Sequence, residues 1–391
     1  MFGTGKTEAV VVQKGERFIF NLREVNGAMG DLGTLLPLTL GTIAVAGLAP
    51  MPVLLGFAVF YIGTALYYRL PIPVQPMKVV AAVLLTAQLS HETLVASGVI
   101  IGAVLLLLGA TGWMTRLARL VPQSVLAGLQ LGLGIALALV SLGLMATAPL
   151  LAFVTLGLVL GLGRLPGYPS ALIAVAVAVV LAQVFDVPGI AGNIAASAMI
   201  SVPSVPSVED IQQALSLYVL PQLPLTLANA VVLTALIAGD YFGERASHVT
   251  PGRLSISSGL ANLLLTPFGA LPMCHGAGGL AAHYRFGARS GAAPLLIGVT
   301  LLMFALLPGG LGLDAISAVP AAGLGALLIV AAGELALTRR LFDCKPSCWP
   351  VIAATAGVTV WFDPFWGLVA GSGAELVRVA VVRHLQKRAN I

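Results

Sequence analysis

Apolar stretches of close to twenty residues recur along the whole chain, and this recurrence limits what the chain can fold into. One such stretch is long enough to cross a hydrocarbon core about 30 Å thick. Hydrophobic residues fill 58% of the 391 positions and charged residues only 9%, whereas a soluble domain carries roughly 25% charged residues. The sequence therefore predicts an all-α polytopic membrane protein.

Glycine, proline and charged residues divide the apolar sequence into fourteen predicted membrane segments. They cover residues 24–47, 51–69, 76–89, 92–112, 122–145, 148–163, 167–186, 219–239, 253–269, 276–287, 290–308, 312–333, 349–362 and 364–385. The predicted organisation is a cytoplasmic N-terminus (1–23), a first repeat (24–187), an extracellular or periplasmic linker (188–218), a second repeat (219–385) and a cytoplasmic C-terminus (386–391).

Basic residues support this division of the chain. With both termini in the cytoplasm, nineteen of the twenty Lys and Arg residues fall on the cytoplasmic side, as the positive-inside rule requires. The remaining one, Lys78, falls inside a segment. Seven segments per half make the two halves enter the membrane from opposite faces, so we expect inverted repeats. The net charge of +5 then reflects topology, and we expect no nucleic-acid partner.

Other functional classes find little support in the sequence. The first 20 residues contain no apolar core followed by a small-residue cleavage site, so we expect no cleavable signal peptide. The three cysteines have no matching ligands elsewhere, so we expect neither a metal site nor a cofactor. No serine or cysteine nucleophile with a positioned base stands out, which favours a non-enzyme.

Segments three and ten are short and interrupted. The first contains "PIPVQPMK" (71–78) and the second "GALPMCHGAGGLAAHYRFGARSG" (269–291). Broken helices at matching places in two inverted halves mark the substrate site of many transporters. Two helix N-termini would direct partial positive charge at one spot, where Lys78 and His275 add to it. Neither motif contains an acidic residue, so the pattern predicts two half-helices that bind an anion.

Each of these features also has a purely structural interpretation. A Pro-Gly break can be a kink whose free backbone groups are satisfied by neighbouring helices. Lys78 could pair with the carboxylate of Asp31, and His275 could be a hydrogen-bonded core histidine. Asp31 is either a buried proton carrier or a helix-start residue at the cytoplasmic boundary. The sequence leaves these alternatives open.

Three motifs resemble the signatures of the molybdate transporter family, a branch of the sulfate-permease superfamily without the C-terminal regulatory domain. They are "GAMGDLGTLLPL" (27–38), "PIPVQPMK" (71–78) and "LPMCHGAGGLAAHYRFGARSG" (271–291). The resemblance implies fourteen helices in two inverted repeats of seven, with a core domain from segments 1–4 and 8–11 and a gate domain from the others. It also implies that substrate binds between the half-helices of segments three and ten.

The motifs and the resemblance together predict the site residues. The substrate-binding candidates are Thr34, Gln75, Met77, Lys78, Thr226, Asn229, His275, Gly276, Ala277 and Gly278. Asp31 and His275 are the candidates for proton coupling. The register of Asn229 is open, because the chain reads "PLTLANAVV" where the family pattern is closer to "PLTTLNSV".

The predicted function is import of molybdate across the cell (inner) membrane by a secondary transporter that works by alternating access. Sulfate, tungstate or another oxyanion is the alternative substrate, because size and charge hardly separate these ions. An anion channel is the alternative mechanism. The expected partners are molybdate and the lipid bilayer, and a homodimer is left open.

Overall fold

The structure, a computed structural model, is mostly helical. It describes residues 18–87, 90–113, 116, 121–165, 168–190, 205–307 and 311–389, without the side chains of residues 34, 311, 313 and 387–389. Parts of the predicted termini and linker, namely residues 1–17, 191–204 and 390–391, lie outside the described residues. One sheet of two short strands is present in the described part.

The described first half forms seven helices, one at each predicted segment. They are α1 (Leu22–Ala44), α2 (Pro50–Tyr68), α3 (Lys78–Thr86), α4 (His91–Thr111), α5 (Gln123–Met145), α6 (Pro149–Leu162) and α7 (Ser170–Val184). The side chains of Asn21 and Ser90 cap α1 and α4. Pro50 and Pro149 begin α2 and α6, where the missing N–H would have had no partner in the helix.

The second half continues the helical pattern. It contains α8 (Val208–Ala246), α9 (Pro251–Leu265), α10 (Ala277–Arg285), α11 (Ala292–Leu306), α12 (Leu311–Ser317), α13 (Ala321–Ala336), α14 (Trp349–Trp361) and α15 (Pro364–Ala389). Two stretches of α8, Ala214–Val219 and Thr226–Leu233, are π-helical. They flank the helix interior that contains Pro224, which cannot donate a backbone hydrogen bond.

Two predicted segments, 219–239 and 312–333, differ from the structure by more than a few residues. Helix α8 begins at Val208 instead of residue 219, because Ser207 and Asp210 form a capping box inside the polar linker, and such a box nucleates a helix. The predicted segment 312–333 is divided into α12 and α13. The division falls at Pro320, the N-cap of α13, because the residue before a proline is driven out of the helical conformation.

Several helices have the length and composition of membrane spans. In the part of the chain that the structure describes, these are α2, α4, α5, α8 and α15. Shorter apolar helices accompany them, including α6, α7, α11 and α13. Large apolar side chains such as Leu107, Leu139, Phe153 and Trp361 lie exposed on the outside of the protein. An exposed apolar surface of this kind is typical of helices that contact lipid.

The helices pack in two groups, and each group draws on both halves of the sequence. In the first group, α1 packs on α10, α2 on α11 and α4 on α9. In the second, α5 packs on α13, α14 and α15, and α6 packs on α7 and α13. Helix α3 packs on α1 of the first group and also on α5 of the second. With α3 and α10 the first group contains both interrupted segments, so it positions the site described below.

Backbone contact between α4 and α9 depends on two glycines. A Cβ atom on Gly259 would lie 2.7 Å from the backbone nitrogen of Leu106 and 2.8 Å from the carbonyl oxygen of Gly102. Both neighbours are backbone atoms, so no side chain can rotate away to make room for the added Cβ atom. By contrast, a Cβ atom on Gly143 of α5 meets nothing within 4 Å.

We predict that Gly259→Ala destabilises the protein by about 1–3 kcal/mol, because it forces α4 and α9 apart. The matched variant Gly143→Ala should leave stability unchanged or raise it by up to about 1 kcal/mol, since alanine favours helix. Thermal unfolding of the two purified variants in detergent measures the difference. Equal melting temperatures would show that the α4–α9 contact is looser than described.

Candidate binding site at two helix starts

The two interrupted segments meet in the middle of the first helix group. Strand β1 (Gln75–Pro76) pairs antiparallel with strand β2 (Met273–Cys274), with Gln75 opposite Cys274. Helix α3 follows β1 after one residue, and α10 follows β2 after two. The pairing therefore holds the starts of α3 and α10 side by side. The first N–H groups of a helix have no partner within it and carry partial positive charge.

A buried amide side chain and a backbone hydrogen bond hold the two breaks in place. Asn262 of α9 donates to the carbonyl oxygen of Met273 (2.7 Å) and accepts from its N–H (2.9 Å). The N–H of Met77 donates to the carbonyl oxygen of Pro272 (3.0 Å). These bonds satisfy backbone groups that would be costly to leave unpaired in an apolar environment.

A cavity of about 40 Å³ lies at the two helix starts. Its walls are Gln75, Pro76, Lys78, Gln130, Gln222, Leu225, Thr226, Asn229, Ala230, Cys274, His275, Gly276, Ala277 and Gly278. A water molecule needs roughly 10–15 Å³ by the same measure. The cavity therefore suits a small ion or a few waters and is too small for a metabolite of ordinary size.

Lys78 is the first residue of α3 and lines this cavity. Among the residues that the structure describes, no carboxylate lies within ion-pair distance of its ammonium group. The sequence left open a pair between Lys78 and Asp31, but the basic side chain within 4 Å of the Asp31 carboxylate is that of His283, at 3.4 Å. Lys78 interacts electrostatically, over a longer distance, with Glu334 of α13.

Gln222 of α8 is a cavity residue that the sequence analysis missed. Its Oε1 accepts from the N–H of Val79 (2.8 Å), and its Nε2 donates to Oγ1 of Thr226 (2.8 Å). It is only 2% exposed. Gln222 thus caps the start of α3 and orients the hydroxyl group of Thr226, one of the predicted site residues. A buried amide beside two prolines, in "PQLPLTL", was the signal available in the sequence.

The opposite wall brings in the second helix group. Gln130 of α5 lines the cavity and accepts from Oγ1 of Thr338 at 3.4 Å. Asn229 lines it from α8, and its Oδ1 accepts from the guanidinium group of Arg340 at 3.2 Å. The sequence analysis identified Asn229 but neither Gln130 nor Arg340, because their proximity depends on how the two groups pack.

Asp31 lies behind the cavity, fully buried in the interior of α1 rather than at a helix start. The hydroxyl group of Tyr61 donates to Asp31 Oδ2 (2.6 Å), and Nε2 of Gln75 donates to Oδ1 (2.9 Å). Nε2 of His283 lies 3.4 Å from Oδ2. Gln75 therefore joins the buried carboxylate to the cavity that it lines.

His275 has both ring nitrogens engaged within the protein. Nδ1 lies 2.9 Å from the carbonyl oxygen of Pro73, and Nε2 lies 2.8 Å from Oγ of Ser257. The ring packs against Phe60 and Tyr68 at centroid distances of 5.1 and 5.6 Å. These contacts match the hydrogen-bonded core histidine considered from the sequence. The residue lines the cavity while its ring nitrogens bond to other parts of the protein.

The structure brings most of the predicted site residues together. Gln75, Lys78, Thr226, Asn229, His275, Gly276, Ala277 and Gly278 line the cavity. Met77 is the N-cap of α3, and its side chain is buried in the apolar core instead. Thr34 lies in α1, but its side chain is outside the described part of the structure.

The glycines at the start of α10 make room for this arrangement. A Cβ atom on Gly276 would collide with the Gln75 amide, and one on Gly279 would collide with Gln75 and the carboxylate of Asp31. Glycine is thus required for Gln75 to reach Asp31. Amide, hydroxyl and ammonium groups and helix N–H groups surround the cavity, and none of its described lining residues is acidic. This chemistry favours an anion.

Comparison with known protein sequences identifies a family model and several relatives that match this chain. A family model described as "Molybdate transporter of MFS superfamily" matches residues 23–137 and 213–335. The chain is 31% identical over 385 residues to Molybdate transporter 2 of Arabidopsis thaliana, covering 85% of this chain and 82% of the relative. It is 30% identical over 407 residues to Molybdate transporter 1 of the same plant, covering 90% and 87%.

Solved structures of anion transporters share the fold. The transmembrane domain of the cyanobacterial bicarbonate transporter BicA matches with a TM-score of 0.64 at 16% identity, covering 89% of this chain and 96% of that one. Murine Slc26a9, an anion transporter in the inward-facing state, matches with a TM-score of 0.68 at 14% identity, covering 94% and 69%. The chain therefore has the fold of these anion transporters, and by its sequence it belongs to the molybdate transporter family.

Proposed function

We propose that this chain is a secondary transporter that imports molybdate across the cell membrane by alternating access. The observation that carries the proposal is the small cavity at two adjoining helix starts, lined by Lys78 and by none of the described acidic residues. Molybdate is a tetrahedral dianion of suitable size. The relatives at 30–31% identity are molybdate transporters by name.

The anion would bind to donors from both helix starts. Ala277 and Gly278, the first residues of α10, line the cavity together with Lys78 of α3, and their N–H groups are the proposed donors. Thr226 and Asn229 contribute a hydroxyl group and an amide from α8. Hydrogen bonds to charged groups are about twice as strong as neutral ones. A dianion surrounded by these donors replaces its lost hydration.

Alternating access would come from movement of a core domain against a gate domain. The first helix group together with α8 is the proposed core, and the second helix group together with α12 is the proposed gate. Gln130 supports this division, because it reaches the cavity from α5 while Lys78 and Ala277 belong to the core. Sliding of one group past the other would open the cavity to either side.

The proposed architecture has fourteen membrane segments in two inverted repeats of seven, with α3 and α10 as the half-helices. The antiparallel pairing of β1 with β2 supports it, because matching breaks from inverted halves approach each other in opposite directions. Both termini would lie in the cytoplasm. The positive-inside distribution of Lys and Arg supports this orientation.

Uptake into proteoliposomes tests the substrate assignment. Radiolabelled molybdate should enter, with saturation, and unlabelled tungstate or sulfate should compete in proportion to its affinity for the site. Equal competition by sulfate would remove the preference for molybdate and leave an oxyanion transporter of the same fold. Voltage-clamp currents that correspond to ion flow much faster than carrier turnover would show that the protein is a channel and not a transporter.

We predict that Lys78→Gln weakens molybdate binding by about 10- to 100-fold, the range for a lost hydrogen bond between charged groups. The control is Lys345→Gln, because Lys345 is exposed and outside the cavity. Saturation of uptake by increasing molybdate gives the apparent affinities of both. Wild-type affinity in Lys78→Gln would exclude a direct contribution of the ammonium group.

We predict that Gln222→Glu also weakens molybdate binding by about 10- to 100-fold. The new carboxylate still accepts from the N–H of Val79 but places a negative charge beside the anion, where repulsion is poorly screened. Gln183→Glu on the exposed end of α7 is the matched control. Both variants should elute as folded protein from size-exclusion chromatography, and an unchanged affinity in Gln222→Glu would place the anion elsewhere.

A further inference from the structure

The tautomer of His283 follows from the neighbour of its Nδ1 atom. Its Nδ1 lies 2.9 Å from the carbonyl oxygen of Gly27, and a carbonyl oxygen can only accept a hydrogen bond. Nδ1 therefore carries a hydrogen. In a neutral imidazole the other nitrogen is then bare, and this nitrogen, Nε2, is fully buried and faces the carboxylate of Asp31 at 3.4 Å.

A bare ring nitrogen and a carboxylate oxygen repel each other, because both present lone pairs. The contact is favourable only when the pair holds one more proton, either on Nε2 of His283 or on Asp31. With that proton the pair is neutral overall, and without it the pair carries one negative charge. Such a charge, away from water, is costly unless a partner compensates it.

We propose that the Asp31–His283 pair is the binding site of a proton that crosses the membrane together with the anion. The proposal rests on the proposed transport function and adds its coupling ion. The proton binds to the pair from the outside when the anion enters, and it leaves to the cytoplasm when the anion is released. One proton moves with one anion, and no bond other than that to the proton is made or broken.

Gln75 provides the link between the proton site and the anion site. It lines the cavity while its Nε2 donates to Asp31. An anion in the cavity makes a further negative charge on the pair unfavourable, so it favours the protonated pair. By linkage, the protonated pair favours the anion to the same extent. Loss of the proton then promotes release of the anion.

In the proposed mechanism Glu24 would pass the proton between the pair and the N-terminal end of α1. It lies in the first turn of α1, is buried, and interacts electrostatically with His283. One of its oxygens accepts from the N–H of Arg289 at 2.7 Å, and the other has no hydrogen-bond partner in the described structure. The groups facing the pair thus include Glu24 from α1 and Tyr61 from α2.

His275, unlike His283, needs no additional proton. Its Nδ1 donates to the carbonyl oxygen of Pro73, and its Nε2 can accept from the hydroxyl group of Ser257. Neutral His275 therefore satisfies both nitrogens without an additional proton. Of the two proton-coupling candidates from the sequence, the geometry favours Asp31 and replaces His275 by His283.

Two transport measurements on the same proteoliposomes test the proposal. Counterflow exchanges labelled for unlabelled molybdate and needs only the anion site. Accumulation of molybdate against its own concentration gradient needs coupling to the movement of a second ion. With the membrane potential clamped at zero, one pH unit, acidic outside, should concentrate molybdate about tenfold inside if one proton accompanies each anion.

The decisive variants are Asp31→Asn and His283→Asn. The amide of His283→Asn can still donate to the carbonyl oxygen of Gly27, but it cannot take up a proton. Asp31→Asn should retain counterflow and lose the accumulation driven by the pH gradient. His283→Asn should retain counterflow and accumulate less molybdate than the wild type, because only the carboxylate of Asp31 remains to take up the proton. His248→Gln is the control, because His248 also bonds a backbone carbonyl oxygen, that of Tyr68, and should accumulate molybdate as the wild type does.

Tyr61→Phe provides a milder test if either variant fails to fold. It removes one hydrogen bond to the carboxylate, so the pair holds its proton more tightly. The midpoint of uptake against external pH should move to higher pH by about one unit. An unchanged midpoint would overturn the proposal.

The outcomes distinguish failure of the proton site from failure of the proposed transport function. Counterflow without any response to a pH gradient in the wild type overturns the proton site and leaves the anion site intact. Absence of molybdate counterflow overturns the proposed function itself. Accumulation at the wild-type level in both Asp31→Asn and His283→Asn also overturns the proton site.

Discussion

The rest of the site depends on the pairing of β1 with β2. Neither break could persist alone in a membrane, because its backbone N–H and C=O groups would lack partners. Each break supplies partners for the other, with Gln75 opposite Cys274, and the amide of Asn262 completes the set. The pair joins positions about 200 residues apart in the sequence, so the site forms only when both halves of the chain are folded together.

The same pairing explains why the charged groups are arranged in two layers. Gln75 reaches from β1 to Asp31, and it can do so only because Gly276 and Gly279 leave space for its amide. Lys78 faces the cavity on one side of this amide, and the Asp31–His283 pair lies on the other. Only the side chain of Gln75 lies between the cavity and the pair, so a change of charge at one alters the electrostatic potential at the other.

The sequence predicted what depends on local chemistry. Prolines, the glycine cluster and an isolated lysine mark the breaks, and the helices lie where apolar runs were found. It failed where an apolar run hides a break, as at Pro320 between α12 and α13. It also missed Gln222 and His283. In "LAAHYR" the histidine looks like any helical residue, and its role appears only because α10 packs on α1.

The net charge of the site in each state explains why a proton would accompany the anion in the proposed mechanism. Asp31, His283 and Lys78 all belong to the helices proposed to move as one body. When that body is empty and deprotonated, the lysine and the pair cancel. With a dianion bound, the lysine, the pair and the anion sum to two negative charges, and with the proton as well they sum to one. Because the cost of moving charge through a low-dielectric barrier rises steeply with its magnitude, the proton lowers the barrier for the loaded form. Lys78 alone could not achieve this, since its single positive charge leaves the pair uncompensated once the anion is bound.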